Sequence, residues 1–134
     1  MLPARPDSIQ EGRKMNYHGS CHCGQVAFDV EGDLSEVVSC NCSICQRKGT
    51  LMWFVPMSAV TLRTPPENMR TYTFNKHVIK HHFCPSCGIH PFGVGVTPSG
   101  DQVMAINARC VDDVDLLGLK VQHFDGRSIE LVAA

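Results

Sequence analysis

The chain has 134 residues, with 12 Lys and Arg against 13 Asp and Glu and a formal net charge of -1; 43% of it is hydrophobic and 19% charged. That balance excludes the basic footprint of a nucleic-acid or anionic-membrane binder and the composition of a disordered chain. The longest apolar run, Leu51 to Met57, is far too short to span a bilayer.

Residues 1–14 show no periodicity and no apolar leader segment, and are expected to form a peripheral arm ahead of a single domain over 15–134. From Gln25 to Glu31 apolar Val26, Phe28 and Val30 alternate with polar neighbours, the mark of a half-buried strand. Val37 to Cys40 and Leu51 to Val55 read as short strands, the second closed by Pro56. Met57 to Arg63 alternates again, Thr64 to Asn68 is a Pro-rich loop, and Thr71 to Phe74 has high β-propensity throughout. Val78 to Phe83, Phe92 to Val96, Gln102 to Ala108 and Leu119 to Phe124 complete the expected strands, with a hairpin turn at Pro98 to Asp101. Only Ser43 to Lys48 and Val111 to Leu117 leave room for a helical turn or two. Many short strands between turn signals predict a mainly β domain.

Eight cysteines are too few for a small disulfide scaffold. Without a secretory signal, a reducing compartment, the cytoplasm, is expected, where clustered cysteines are metal ligands or redox groups. They fall as Cys21-His22-Cys23, as Cys40-Asn41-Cys42-Ser43-Ile44-Cys45 and as Cys84-Pro85-Ser86-Cys87-Gly88, with Cys110 alone. Cys21 and Cys23, two apart, share one face of an extended segment, and the Cys84 and Cys87 turn aims both sulfurs inward. Two and two make a closed tetrahedral structural zinc site; the middle cluster supplies three ligands and leaves one position open, as catalytic zinc does.

Other partitions keep both zincs but close the second with Cys110, His18 or His22. A redox reading of Cys84 and Cys87 lacks the βαβ context it needs, and the spacings match no ferredoxin pattern. An open zinc holds an exogenous thiol as thiolate. Arg47 and Lys48 then either offset the charge of three thiolates and grip a substrate carboxylate, or are simply solvated. Trp53 and Phe54 lie on opposite faces of one strand, so one belongs to the core and the other can wall a pocket. His81 and His82 likewise point apart. By chain proximity, Arg47, Lys48 and Trp53 are the expected substrate contacts.

Gly19-Ser20-Cys21-His22-Cys23-Gly24, Cys40-Asn41-Cys42-Ser43-Ile44-Cys45 and Phe83-Cys84-Pro85-Ser86-Cys87-Gly88 together resemble the glutathione-dependent formaldehyde-activating enzyme family, which includes centromere protein V. Ile106 to Asp112 and His123 to Arg127 look like family members too. The resemblance implies a β-tent (Mss-four-like) fold of several small coiled antiparallel sheets. It implies two zinc ions per chain, a structural one on Cys21, Cys23, Cys84 and Cys87 and a catalytic one on Cys40, Cys42 and Cys45, with Cys110 not a ligand. It also implies a carbon–sulfur lyase activity that joins glutathione to formaldehyde as S-hydroxymethylglutathione. The reading from another class is a non-enzymatic zinc module that recognises a protein partner through its β surface.

Overall fold

A computed structural model describes residues 14–129. The arm expected over 1–14 therefore lies, but for Lys14, outside the described residues. Ten strands and one short helix follow in order: β1 (Met15–Ser20), β2 (Ala27–Gly32), β3 (Glu36–Cys40), α1 (Ser43–Lys48), β4 (Met52–Pro56), β5 (Val60–Leu62), β6 (Arg70–Tyr72), β7 (Lys80–Phe83), β8 (Phe92–Val96), β9 (Gln102–Asn107) and β10 (Lys120–Phe124). They form a three-stranded sheet, β1-β2-β5, and a seven-stranded sheet in the order β10-β3-β4-β9-β8-β7-β6. All pairs are antiparallel except β10 on β3, which is parallel. Among the described residues no helix is long and apolar enough to cross a membrane.

The two sheets pack face to face, each through an apolar face. On the smaller sheet, register places Tyr17, Gly19, Phe28, Val30, Val60 and Leu62 on the same side. On the larger sheet Val37, Trp53, Val55, Met104, Ile106 and Phe92 are buried. Phe28 meets Phe92 edge-to-face at 5.8 Å between ring centroids, and Tyr17 meets Trp53 at 5.5 Å. Gly19 has to be glycine, since a Cβ there would strike the Phe28 ring.

Several boundaries differ from the pattern in the sequence. Met57–Ala59 is a 3-10 turn, so the alternation over 57–63 yields only the three residues of β5. The chain between β6 and β7 turns through left-handed Asn75 and His77, which releases Phe74 and Val78 from the expected strands. The helix considered over Val111 to Leu117 is absent; 3-10 turns stand at Ala108–Cys110 and Leu116–Gly118, the second capped by the Asp115 carboxylate on the Leu117 N–H. β1 was not foreseen.

Candidate functional site

Cys21 and Cys23 lie in a tight turn after β1, not in the extended segment expected, and the Gly24 N–H closes it on the Cys21 carbonyl at 3.2 Å. Cys84 and Cys87 occupy a similar turn after β7, closed by the Gly88 N–H on the Cys84 carbonyl at 2.8 Å. Both turns exit through a glycine in the left-handed region, Gly24 at φ 85 and Gly88 at φ 80. The Ser86 hydroxyl donates to the Gln25 side-chain oxygen at 2.7 Å and ties the turns together.

The four sulfurs lie within 4.8 Å of one another. Cys23 Sγ stands 3.7 Å from Cys21 Sγ and 3.6 Å from Cys84 Sγ. Four thiolates around one zinc at about 2.3 Å stand about 3.8 Å apart, so the residues present fit that ion. The Val26 N–H donates to Cys21 Sγ at 3.3 Å, and the Ser86 and Cys87 N–H groups donate to Cys84 Sγ at 3.3 and 3.4 Å, bonds that favour thiolate. Although the Gln25 N–H favours ionisation of Cys23, the neighbouring Cys84 sulfur and the others push its thiol up to about 11. Four sulfurs this close need a cation before all can ionise.

The second cluster is built differently. Cys40 closes β3, Cys42 precedes α1 and Cys45 sits one helical turn later, so a strand end and a helix start bring three sulfurs within 4.8 Å. The helix closes on the Gln46 N–H to Cys42 carbonyl bond at 2.9 Å and ends at Gly49. The segment after β10 lies against the same cluster. Asn41 donates to the Asp125 carboxylate and accepts from the Arg127 N–H, both at 2.9 Å, and Arg127 also reaches the Gln46 side chain. Gly126 then approaches so closely that a Cβ on it would stand 2.5 Å from Cys40 Sγ. Burial first, then the Cys42 sulfur, pushes the Cys45 thiol up. Burial opposes ionisation of Cys42 too, but the Cys45 N–H and the Cys45 and Cys40 sulfurs hold its thiol below the ordinary value.

Among the described residues no further Cys, His, Asp or Glu joins this cluster. His18 is paired with Asp29 at 2.9 Å, and His22 is exposed beside the first cluster. Cys110 accepts from the Asn107 side-chain N–H at 3.5 Å; burial, then Cys21 and Cys87, push its thiol up to about 11, so it belongs beside the four-cysteine cluster. None of the three closes the second cluster.

Cys40, Cys42 and Cys45 line a cavity of about 400 Å³, within the range of small-molecule sites. Its floor is the outer face of the larger sheet. Register sets Tyr72, His81, Gly93, Ala105 and Phe54 in one row across β6, β7, β8, β9 and β4. Lys48 of α1 lines the cavity, and its ammonium donates to His81 Nδ1 at 3.3 Å. Burial, with Lys48, His90 and His82 nearby, holds the His81 ring down to about 4, so it is neutral near pH 7. His82 points away and bonds Thr71 at 2.9 Å.

Of the expected substrate contacts, Lys48 lines this cavity and Arg47 lines an adjoining, more open groove that shares Ser43, Ile44 and Lys48 with it. Trp53 does neither. It is 5% exposed and packed into the core, while Phe54, 51% exposed, takes the cavity side. Alternation put the two on opposite faces but could not tell which face was the core, because β4 carries large apolar side chains on both, Trp53 and Val55 on one and Met52 and Phe54 on the other. Thr50 and Phe74 also line the cavity and were not singled out, as neither belongs to a spaced motif; Asn107 and Gly126, which line it too, fall in the family-like stretches 106–112 and 123–127 but were given no role there.

The glutathione-dependent formaldehyde-activating enzyme family model matches residues 16–126, every one of the seven clustered cysteines included. The chain belongs to this family. A crystal structure of a Rhodobacter sphaeroides protein is similar to it over 80% of this chain and 99% of that one, at 28% identity and a TM-score of 0.68. The fold is accordingly mainly β and of the family's β-tent type. The family is named for glutathione-dependent activation of formaldehyde.

Proposed function

We propose that this chain carries two zinc ions and joins a small thiol, glutathione in the reaction the family is named for, to a small carbonyl compound. The product is an S-hydroxymethyl-type adduct, and the reaction is that of a carbon–sulfur lyase run in the joining direction. The observation that carries this reading is the contrast between the clusters. Cys40, Cys42 and Cys45 line a cavity of about 400 Å³, whereas Cys21, Cys23, Cys84 and Cys87 do not. Three ligands facing a cavity leave a place for a substrate; four ligands between two turns make a staple.

Zinc bound at the three-cysteine cluster would hold a fourth, incoming sulfur as thiolate near neutral pH. The protein's own groups do the rest. Gly126 and the Asn41 bridges press the segment after β10 against Cys40 and fix its sulfur. Lys48 sets a half-buried cation beside a cluster that would otherwise gather negative charge: burial depresses its pKa, while Cys45 and Cys42 work to raise it. Arg47, on the rim, donates to the Ser43 carbonyl at 2.9 Å and keeps further N–H donors for a thiol's carboxylate. The cavity keeps water away from the carbonyl carbon, so thiolate addition competes with hydration.

Calorimetry on zinc-loaded protein tests the reading. Glutathione should bind with release of about one proton near pH 7, counted in two buffers of different ionisation enthalpy. Arg47→Ala should weaken glutathione more than mercaptoethanol, which has no carboxylate. No thiol binding at millimolar concentration would sink the reading and put the protein-recognition module ahead.

A further inference from the structure

The three-cysteine cluster and the outer face of the larger sheet form one surface, and strand register shows how. Side chains two apart along a strand point the same way, so Val38 stands on the face of Cys40. Val38 pairs with Met52 across β3 and β4, and Met52 pairs with Asn107 of β9, whose amide is already engaged within the protein. The next row holds Phe54, Ala105 and Gly93, and the row beyond it Val103 and Gly95. All of these line the cavity. An apolar trough thus leads from the three sulfurs along the strands.

Its floor is bare in the two far rows, where Gly93 and Gly95 carry no side chain and Ala105 only a methyl. A Cβ on Gly95 would meet nothing within 4 Å, and no unusual backbone angle calls for glycine there. Gly95 thus opens space, at a position where a strand ordinarily gains from a side chain. Phe54 and Phe124 wall the trough and remain 51% and 49% exposed, apolar surface that a ligand covers with gain. Polar partners are few. Thr50 Oγ1, His81 Nε2 and His90 Nδ1 are buried out of a ligand's reach. Lys48 is the one Lys or Arg on the lining, and no Asp or Glu occurs on it. Glutathione has two carboxylates and an ammonium, so its remainder is better served from the adjoining groove that Arg47 lines. The ligand that fits the trough has one anionic head, at the end where α1 carries both Cys45 and Lys48, and an apolar body.

We propose that the thiol best fitted to this cavity is one with an apolar body, such as a medium alkyl chain. Its sulfur takes the position left open by Cys40, Cys42 and Cys45, and the chain runs over Met52 toward Ala105 and Gly95. This rests on the thiol-binding reading and names the class of thiol. On binding, the thiol gives its proton to solvent and its charge is set beside Lys48.

Calorimetry on zinc-loaded protein, with the straight-chain thiols from ethanethiol to octanethiol and with glutathione, tests this. Each methylene that enters the trough should tighten binding about two- to fourfold. Octanethiol should bind at least tenfold more tightly than glutathione. Ala105→Phe fills the middle of the trough; it should weaken octanethiol at least tenfold and leave ethanethiol within about twofold, which also shows the cluster intact. Gly95→Leu, placed where there is room for a side chain, should end the gain at a shorter chain than in wild type. Apart from binding strength, the Ala105 methyl resonance should shift with octanethiol and not with glutathione. A flat series, glutathione bound as tightly as octanethiol, or equal losses of ethanethiol and octanethiol in the variants would each overturn the proposal and leave the thiol-binding reading standing. If no thiol binds at all, that reading falls and takes the proposal with it.

Discussion

Asn107 shows how much one side chain organises. Its carbonyl oxygen accepts from the Leu51 and Arg109 N–H groups at 3.4 and 3.1 Å, and its amide donates to the His90 carbonyl at 3.1 Å and to Cys110 Sγ at 3.5 Å. Asn107→Leu keeps the volume and strands those partners, so it should cost about 2–4 kcal/mol in urea unfolding. Gly126 answers to a different constraint. Gly126→Ala drives a methyl into Cys40 Sγ, so it should weaken zinc retention at the three-cysteine cluster at least tenfold and leave the four-cysteine cluster unchanged, by competition with a chromogenic chelator. His81 makes a pH prediction. Its folded pKa, about 4, lies below the ordinary 6.5, so between those values the unfolded chain takes up a proton that the folded chain refuses. Stability linked to it is full above pH 6.5, falls as pH drops toward 4, and then levels. His81→Gln should shrink the loss between pH 7 and 5 by on the order of 1 kcal/mol; an unchanged loss would place the titration elsewhere. Of these three residues the sequence pattern weighed only His81 by itself; Asn107 and Gly126 entered as members of family-like stretches, without a role. An isolated Asn or Gly carries no period or spacing, and its role appears only when strands distant in the chain converge.

At the scale of elements, the two cysteine turns clasp the sheets together, one leaving β1 of the smaller sheet and the other leaving β7 of the larger. Cys84→Ser opens that clasp. It should lower the melting temperature by roughly 10 °C or more, since structural zinc contributes on the order of 10 kcal/mol in small domains and each kcal/mol moves a chain of this size by about 4 °C. Cys42→Ser touches the cavity cluster, and should remove thiol binding while lowering the melt far less. Equal melts would make both clusters structural. The alternation in β2 was legible because its period agrees with the final burial. β1 was not. Its inward positions are Tyr17 and Gly19, and a glycine chosen to admit the Phe28 ring breaks the apolar pattern that marks a strand. The helix considered near Val111 gave way to turns, since Asn107 and Asp115 each cap a neighbouring N–H and favour short 3-10 geometry there.

For the molecule as a whole, the two clusters should lose metal in order. The one that faces the cavity admits a chelator and the one between the turns does not, so graded chelation followed by metal analysis should show one equivalent leaving well before the second. Simultaneous loss would mean that the cavity gives no access. Spacing offered the partition into four and three sulfurs as one reading among several, because C-x-C and C-x-x-C are local geometry while the meeting of Cys21 and Cys23 with Cys84 and Cys87 is not; the cavity was not legible, because it forms between β4, β7, β8 and β9, which are joined by register alone. The parallel pairing of β10 with β3 carries one more consequence. The four-cysteine cluster is complete once Cys87 has been synthesised, but Gly126, Asp125 and Arg127, which seal the three-cysteine cluster, leave the ribosome many residues later. During biosynthesis a metal held by the four cysteines could therefore load while β8, β9 and β10 have still to be made, whereas the segment that closes over the three-cysteine cluster is the last to be added.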